Sequence, residues 1–426
     1  GYAIFYPSLF YRDNFAGTAG FATTTTNYTA PGGDATRPAF QLRNGFPSAP
    51  IQSLGSALGP SAFLSQGVSY DEPDGTTPMS QQWDLSLQRE LPGGFVVDLT
   101  YSGNKGSHFL AGGYDLNQLD PQYLALGDAL SRTVPNPYAG RVTGAFGGAT
   151  ITRAQSLRPY PYYGNISVRS PHLGNFISHS GLLSVEKRFS PQGLTLLFSY
   201  TKAKLISDSV TSPVDFGEIE QVTETGYQNG RFNRSEERSL DPTDVSDRAT
   251  VSALYELPFG TGKRFDSSSG FVNNLIGGYQ LSLIGIMQTG IPIIVRGATN
   301  NAANRPNSTG TSARIDNSMA ERWFDTNQFV NPPPFTYGNV GRVLPDVRTP
   351  GTINFDMSLI KNTRLSEDLN LQFRAEAFNV FNHVNLNAPN ASFGAGPDGR
   401  NNNANFGRIT SARDARQLQF GVKLIF

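Results

Sequence analysis

An alternation of apolar and polar residues with a period of two constrains this chain more than any other feature. It is sustained for about ten residues at a time and restarts after each turn. The segments WDLSLQREL and GFVVDLTYSG, joined at Pro92-Gly93-Gly94, show it first. Trp83, Leu85, Leu87, Phe95, Val97, Leu99 and Tyr101 fall on one side, and Asp84, Ser86, Gln88, Asp98, Thr100 and Ser102 on the other. Successive side chains of a strand point to opposite faces, so the pair predicts an antiparallel hairpin with one oily and one wet surface.

The device recurs in LLSVEKRFS with LTLLFSYTKAK, turning at Pro191-Gln192-Gly193; in RATVSALYELPFG with YQLSLIGIMQTG; and in INFDMSLIKN with LNLQFRAEAFNV. GYAIFY adds a strand at the front and RQLQFGVKLIF one at the end, for about ten in all by this template. Between hairpins lie residues 104–173, 205–244, 291–351 and 379–412, rich in Gly, Pro, Asn, Asp and Ser. Such lengths are foreign to compact soluble domains. Short turns at one end and long loops at the other predict an all-β, antiparallel up-and-down transmembrane β-barrel with long extracellular loops. A closed barrel has no free edge, so the last strand is expected to zip to the first. One helix is expected, over DPQYLALGDAL, with Asp120 as cap and Pro121 as first helical residue.

Alternation alone would also suit a soluble β-sandwich. Loop asymmetry, charges opposite the apolar face and an aromatic content of 11% favour lipid instead. Tyr101, Phe189, Tyr200, Tyr255 and Phe259 stand where ring girdles meet a water boundary. No stretch of apolar residues is long enough for a transmembrane helix, a test that barrel strands escape. The polar face would line a lumen through Asp84, Asp98, Glu186, Arg188, Glu256, Asp356, Arg374, Glu376 and Lys423, whose mixed signs suit pairing across neighbouring strands. Arg at Leu371 or Phe373 is expected to cost about 2–4 kcal/mol at mid-bilayer, while Gln372 tolerates it.

Chemistry is sparse. With 34 basic and 34 acidic residues and no basic block, the chain lacks the electrostatic footprint of a nucleic-acid binder. It has no Cys, which removes disulfides and thiolate chemistry. FGTGKR has Leu257 where a phosphate loop needs Gly, and Arg264 where it needs Ser or Thr. His108, His172, His179 and His383 show no metal-site spacing. GPDGRNNNANFGR lacks the acidic ligands of a calcium loop and reads as a flexible Asn/Gly loop. No catalytic, metal or cofactor set is therefore assigned; RPYPYYGN at 158–165 is a candidate ligand contact, with a solvated, structural loop as the favoured reading of that stretch.

The closing Phe420, Val422, Leu424 and Phe426 resemble the C-terminal signature of bacterial outer-membrane proteins, which implies recognition by the barrel-assembly machinery. More widely, GYAIFY, QQWDLSLQREL, NQLDPQYLALGDAL, VPNPYAG, DVSDRATVSALYELPFGTGKRF, LQFRAEAFNVFNHVNLNAPN and QFGVKLIF resemble the C-terminal part of an Oar-like, acidobacterial-type TonB-dependent receptor. The resemblance implies an outer-membrane barrel of about 22 strands, plugged by an N-terminal domain and importing a ligand with energy delivered by TonB. Residues 1–426 would be the C-terminal part of that barrel, a fragment or processed piece with the plug outside it. The ligand is open: a small molecule, an oligosaccharide or a peptide. A passive porin, a surface adhesin and a soluble β-rich binding module are the alternative readings.

Overall fold

The computed structural model describes residues 1–7, 34, 36, 38, 40–45, 51–53, 55–57, 59–71, 75–142, 144–169, 171–188, 193–208, 231–297, 305–366 and 369–426. Two compact units emerge, one of residues 1–7, 76–112 and 172–426, the other of residues 8–75 and 113–171.

In the first unit ten strands follow one another in one antiparallel sheet, to which the two-residue strand Ser239–Leu240 adds beside the end of Leu194–Ser207. The ten are β1 (Tyr2–Phe5), β2 (Met79–Leu91), β3 (Phe95–Phe109), β4 (Gly174–Lys187) and β5 (Leu194–Ser207). There follow β6 (Asp247–Glu256), β7 (Tyr279–Gln288), β8 (Thr352–Arg364), β9 (Asn370–Phe378) and β10 (Gln417–Ile425). The strand count and order match the expectation from period two. Among the described residues β10 pairs only with β9 and β1 only with β2, so the sheet is open at both edges, as expected of part of a larger barrel.

Turns at one end are short. Between β2 and β3, Gly93 and Gly94 adopt φ of 86° and 73°, a conformation that side chains with a Cβ resist. The predicted turn residues Pro191 and Gln192, with Phe189, lie outside the described residues. The β6–β7 connection differs from a plain hairpin, because it carries a short helix, α1 (Gly270–Ile276), started by Ser269. Lys361 donates to the carbonyls of Asn274, Leu275 and Gly277 at the end of that helix, satisfying acceptors the helix leaves open.

Register holds the two faces apart across the sheet. Leu99, Leu183, Tyr200, Ala249, Met287 and Ile353 follow one another on one face. Asp98, Ser184, Ser199, Thr250, Ile286 and Asn354, one residue along each strand, follow on the other. A slip of one residue in any pairing would exchange them. The Trp83 ring lies over Gly103 of the next strand, where a Cβ would collide with it. Leu85, Leu87, Leu99, Leu418, Phe420 and Val422 are exposed on the apolar face.

Burial is concentrated at the long-loop end. Ile293, Val295, Phe324, Phe329, Val340, Leu344, Phe393 and Phe406 form a hydrophobic core drawn from residues 289–351 and 379–416. Phe406 meets Phe324, Phe329 and Phe393 edge-on at centroid distances of 5.2, 5.6 and 5.9 Å, a preferred aromatic geometry. Backbone bonds stitch the two connections together, Trp323 N–H to the Gly407 carbonyl at 2.7 Å and Ile409 N–H to that of Ala320 at 2.7 Å. The expected flexible Asn/Gly loop is instead part of this body. Asn402 N–H reaches the Gly394 carbonyl, Asn403 Nδ2 reaches that of Ser392, and Phe406 anchors the segment. Its asparagines supply the loop's own hydrogen bonds rather than surrendering them to water.

In the second unit Val68–Asp71, Ile166–Arg169 and Tyr114–Asp115 make a small mixed sheet. The helix expected after Asp120 is present as a 3-10 run, Pro121–Ser131, with the Asp120 carboxylate accepting from Gln122 N–H at 3.0 Å. Gly127, at φ 51°, interrupts it and keeps it from becoming a regular α-helix.

Candidate functional site

All nine charged candidates belong to the polar face. Asp84, Asp98, Glu186, Glu256, Asp356, Arg374, Glu376 and Lys423 share it by strand register. Arg188, just past β4, joins it by binding Glu186 Oε1 at 3.0 Å. The expected ladder of cross-strand ion pairs is not what the structure builds among the described residues. Glu256 stands opposite Gln280, Arg374 opposite Ile360 and Gly421, and Glu376 opposite Ser358 and Gln419, so none of these three faces an opposite charge. A facing pair does form, Lys202 with Asp247 at 2.9 Å, but it lies on the other face. The lumen candidates bond locally instead. Glu256 takes Lys263 from the following turn at 2.8 Å, Arg374 donates to Gln372 at 2.7 Å, and Asp98 accepts from Thr100 at 2.6 Å. Asp356 accepts from the Asn354 amide and from Asn379 N–H, which ties the start of the last long loop to β8.

The loop end holds the charges that period two could not reveal. Arg305 and Glu237 form a buried ion pair at 2.6 Å, and Arg348 grips a buried Asp244 at 2.5 Å while also donating to the Asp244 and Gly290 carbonyls. Arg342, buried, donates to the carbonyl and hydroxyl of Ser207 at the end of β5. Three arginines of the 289–351 connection thus pin it to residues 207–244. Partners so distant along the chain leave no local signal. A cavity of about 800 Å³ lies beside this body, bordered by Tyr200, Met287, Trp323, Arg348, His383 and Leu386. Asp325, nearby in the loop body, accepts from the Gln328 amide and the Arg322 guanidinium, which hold its carboxyl below the usual carboxylate range.

RPYPYYGN is a tied structural turn. Asn117, fully buried, donates to the carbonyls of Tyr160, Tyr163 and Gly164 and accepts from Tyr160 N–H. Arg158 is held by Asn165 and Asp115. Of the expected girdle rings, Tyr101 and Tyr200 lie on the apolar face near the middle of β3 and β5 and not at a strand end, Tyr255 lies near the turn end, and Phe259 falls beyond β6, stacked on Phe265 at 5.3 Å. Phe420, Val422 and Leu424 project from the apolar face of β10, with Phe420 stacked against Phe373 at 6.4 Å. Phe426 follows the strand and is exposed. Leu371, placed at mid-bilayer by the sequence pattern, is the second residue of β9 and sits beside the turn, so only Phe373 of that pair is central in its strand. Among the described residues no three His, Asp or Glu side chains converge as a metal site.

Comparison with known proteins adds the following. A family model described as an outer membrane beta barrel domain matches residues 1–419. No curated protein matches the chain. The outer membrane transporter YddB from Escherichia coli aligns at 10% identity and a TM-score of 0.40, over 85% of this chain and 34% of that one. The FrpB iron transporter from Neisseria meningitidis aligns at 11% identity and a TM-score of 0.37, over 84% and 33%. This chain spans about a third of the length of those transporters.

Proposed function

The chain belongs to the outer membrane beta barrel domain family, and on that premise we propose that it forms a wall segment and surface loops of a TonB-dependent receptor, a binding and uptake role without bond chemistry. The observation that supports this best is the pairing of an inside-out sheet with a folded body at one end only. Hydrocarbon solvates the exposed Leu and Phe rows, and the ladder satisfies the backbone groups that lipid cannot. The open edges of β1 and β10 need further strands for the same reason.

On this reading Asp84, Asp98, Glu186, Arg188, Glu256, Asp356, Arg374, Glu376 and Lys423 border an aqueous lumen. The loop body, braced by Arg305, Arg342 and Arg348, holds the surface that meets a small molecule, oligosaccharide or peptide outside the cell. Rigid support of that kind lets loops recognise a ligand without ordering themselves first. Phe420, Val422, Leu424 and Phe426 serve barrel assembly, and TonB acts through a plug domain outside this chain.

Two measurements test the proposal. The gene upstream of Gly1 should encode a plug-like domain of about a hundred residues. Growth of a deletion strain on candidate ligands should be restored by the intact gene only when TonB is present. Restoration without TonB would replace the receptor by a passive channel, and loss of surface attachment in place of uptake would replace it by an adhesin.

A further inference from the structure

At the loop end of the apolar face lies a second cavity, of about 470 Å³, whose borders include Tyr101, His179, Lys202, Lys204, Asp244 and Arg348. Tyr101, His179, Lys202 and Lys204 share the register positions of the apolar side chains, so these four border the cavity from the face assigned to lipid. The cavity's height is that of a membrane boundary. From Leu196, opposite Lys187, to Lys204 β5 runs about 26 Å at ~3.3 Å per residue. A strand tilt of about 35–45° turns this into about 20 Å of height, so that the long Lys204 stem reaches toward the edge of the ~25 Å apolar band of such barrels. Lys187 marks the other boundary, its ammonium turned to the Gly93 carbonyl at 2.5 Å.

The charge balance of the cavity favours an anion. Its one bordering carboxylate, Asp244, is already neutralised by Arg348 and accepts from Leu205 N–H. Asp247, next to the cavity, is shared by Tyr200 and Lys202 at 2.7 and 2.9 Å. Lys204, exposed, forms no ion pair among the described residues. His179 is oriented by the Tyr101 hydroxyl at 2.8 Å and flanked by the Trp83 ring at 5.9 Å. Arg348 also borders the larger cavity, where Met287, Trp323, Ile353, Val384 and Leu386 supply an apolar lining. Cationic space beside apolar space, at bilayer-boundary height, fits an amphiphile with an anionic head.

We propose that Lys202 and Lys204 bind the phosphate of a phosphorylated outer-leaflet lipid, with its chains continuing along the apolar face. Ammonium groups suit this ligand, since they hold phosphate as point charges while their stems lie along oily surface. The inference rests on the barrel reading alone and is independent of TonB.

The test is native mass spectrometry of the full-length protein in detergent, titrated with phosphatidic acid and, in parallel, with diacylglycerol of the same chains. Phosphatidic acid should be retained preferentially, and the Lys202→Gln/Lys204→Gln double variant should bind it at least about tenfold more weakly, while Lys423→Gln on the opposite face leaves binding unchanged. Inorganic phosphate at millimolar concentration should not displace the lipid. Equal retention of the two lipids, or an unaffected double variant, overturns the proposal, and displacement by phosphate alone reduces the cavity to a free-anion site and overturns its lipid occupant. If the double variant does not fold, Lys204→Gln alone, which breaks no ion pair among the described residues, decides the matter in the same assay.

Discussion

In the loop body Phe324 and Phe329 are 0% and 2% exposed, whereas on the sheet Phe420 and Leu85 keep 69% and 73% of their surface. The contrast runs through the charges as well. Arg305 and Glu237 are buried as a pair in the loops, while Arg188 and Glu186 pair at the surface of the polar face. One chain therefore builds two regions by opposite rules. The loops bury oil against oil because water surrounds them, and the sheet leaves oil outward because hydrocarbon solvates it. A polar-looking loop can accordingly be the best-packed part of such a molecule.

Each region carries one of the two tryptophans, Trp323 in the loop body and Trp83 in β2, so the comparison can be broken one region at a time. The largest effect is expected from Phe324→Ala or Phe406→Ala, at about 3–5 kcal/mol for a fully buried ring. Trp323 emission should unfold earlier in denaturant while Trp83 keeps its transition; a common shift of both would merge the two regions into one cooperative unit. Glu237→Ala, which strands the buried Arg305, should cost a comparable ~3–5 kcal/mol and again register at Trp323.

A smaller loss is expected in the sheet. Phe198→Arg, mid-strand on the apolar face, should cost about 2–4 kcal/mol in a lipid-refolding titration, and Leu371→Arg, beside the turn, about 0–1 kcal/mol. Gln372→Arg on the polar face should be tolerated, and equal tolerance at all three positions would remove lipid from the apolar face. The smallest effect is electrostatic. Asp325 titrates below its unfolded value, so its contribution is complete above ~4, the ordinary carboxylate value, and is lost as pH falls further through the folded one. Acid should thus lower the Trp323 melting midpoint and spare Trp83, and Asp325→Asn should flatten that acid limb.

Local pattern was enough to place Trp83, Leu85, Phe198 and Leu283 on one face and Asp98, Ser184 and Thr250 on the other. Period two is a property of a strand by itself, and every neighbour inherits the alternation through register. The Asp120-Pro121 start and the Pro92-Gly93-Gly94 turn were legible for the same reason, each being decided within a few residues. The nine lumen candidates shared a face as the pattern required, but their bonding partners did not follow. Opposition across strands depends on the register of two separate segments, which put Glu256 against Gln280 and Arg374 against Gly421.

Nothing in the sequence announced the loop body. Phe324 and Phe406, or Arg348 and Asp244, are brought together by contacts spanning on the order of a hundred residues, and loop composition conceals them because Gly, Pro and Asn shape the path without reporting what it encloses. The sequence determined strand number, order and facing, because backbone geometry repeats those locally. Tertiary structure decided which loops pack, which charges are buried and where the sheet stays open, because closure and burial depend on segments meeting in space and on the solvent at each surface.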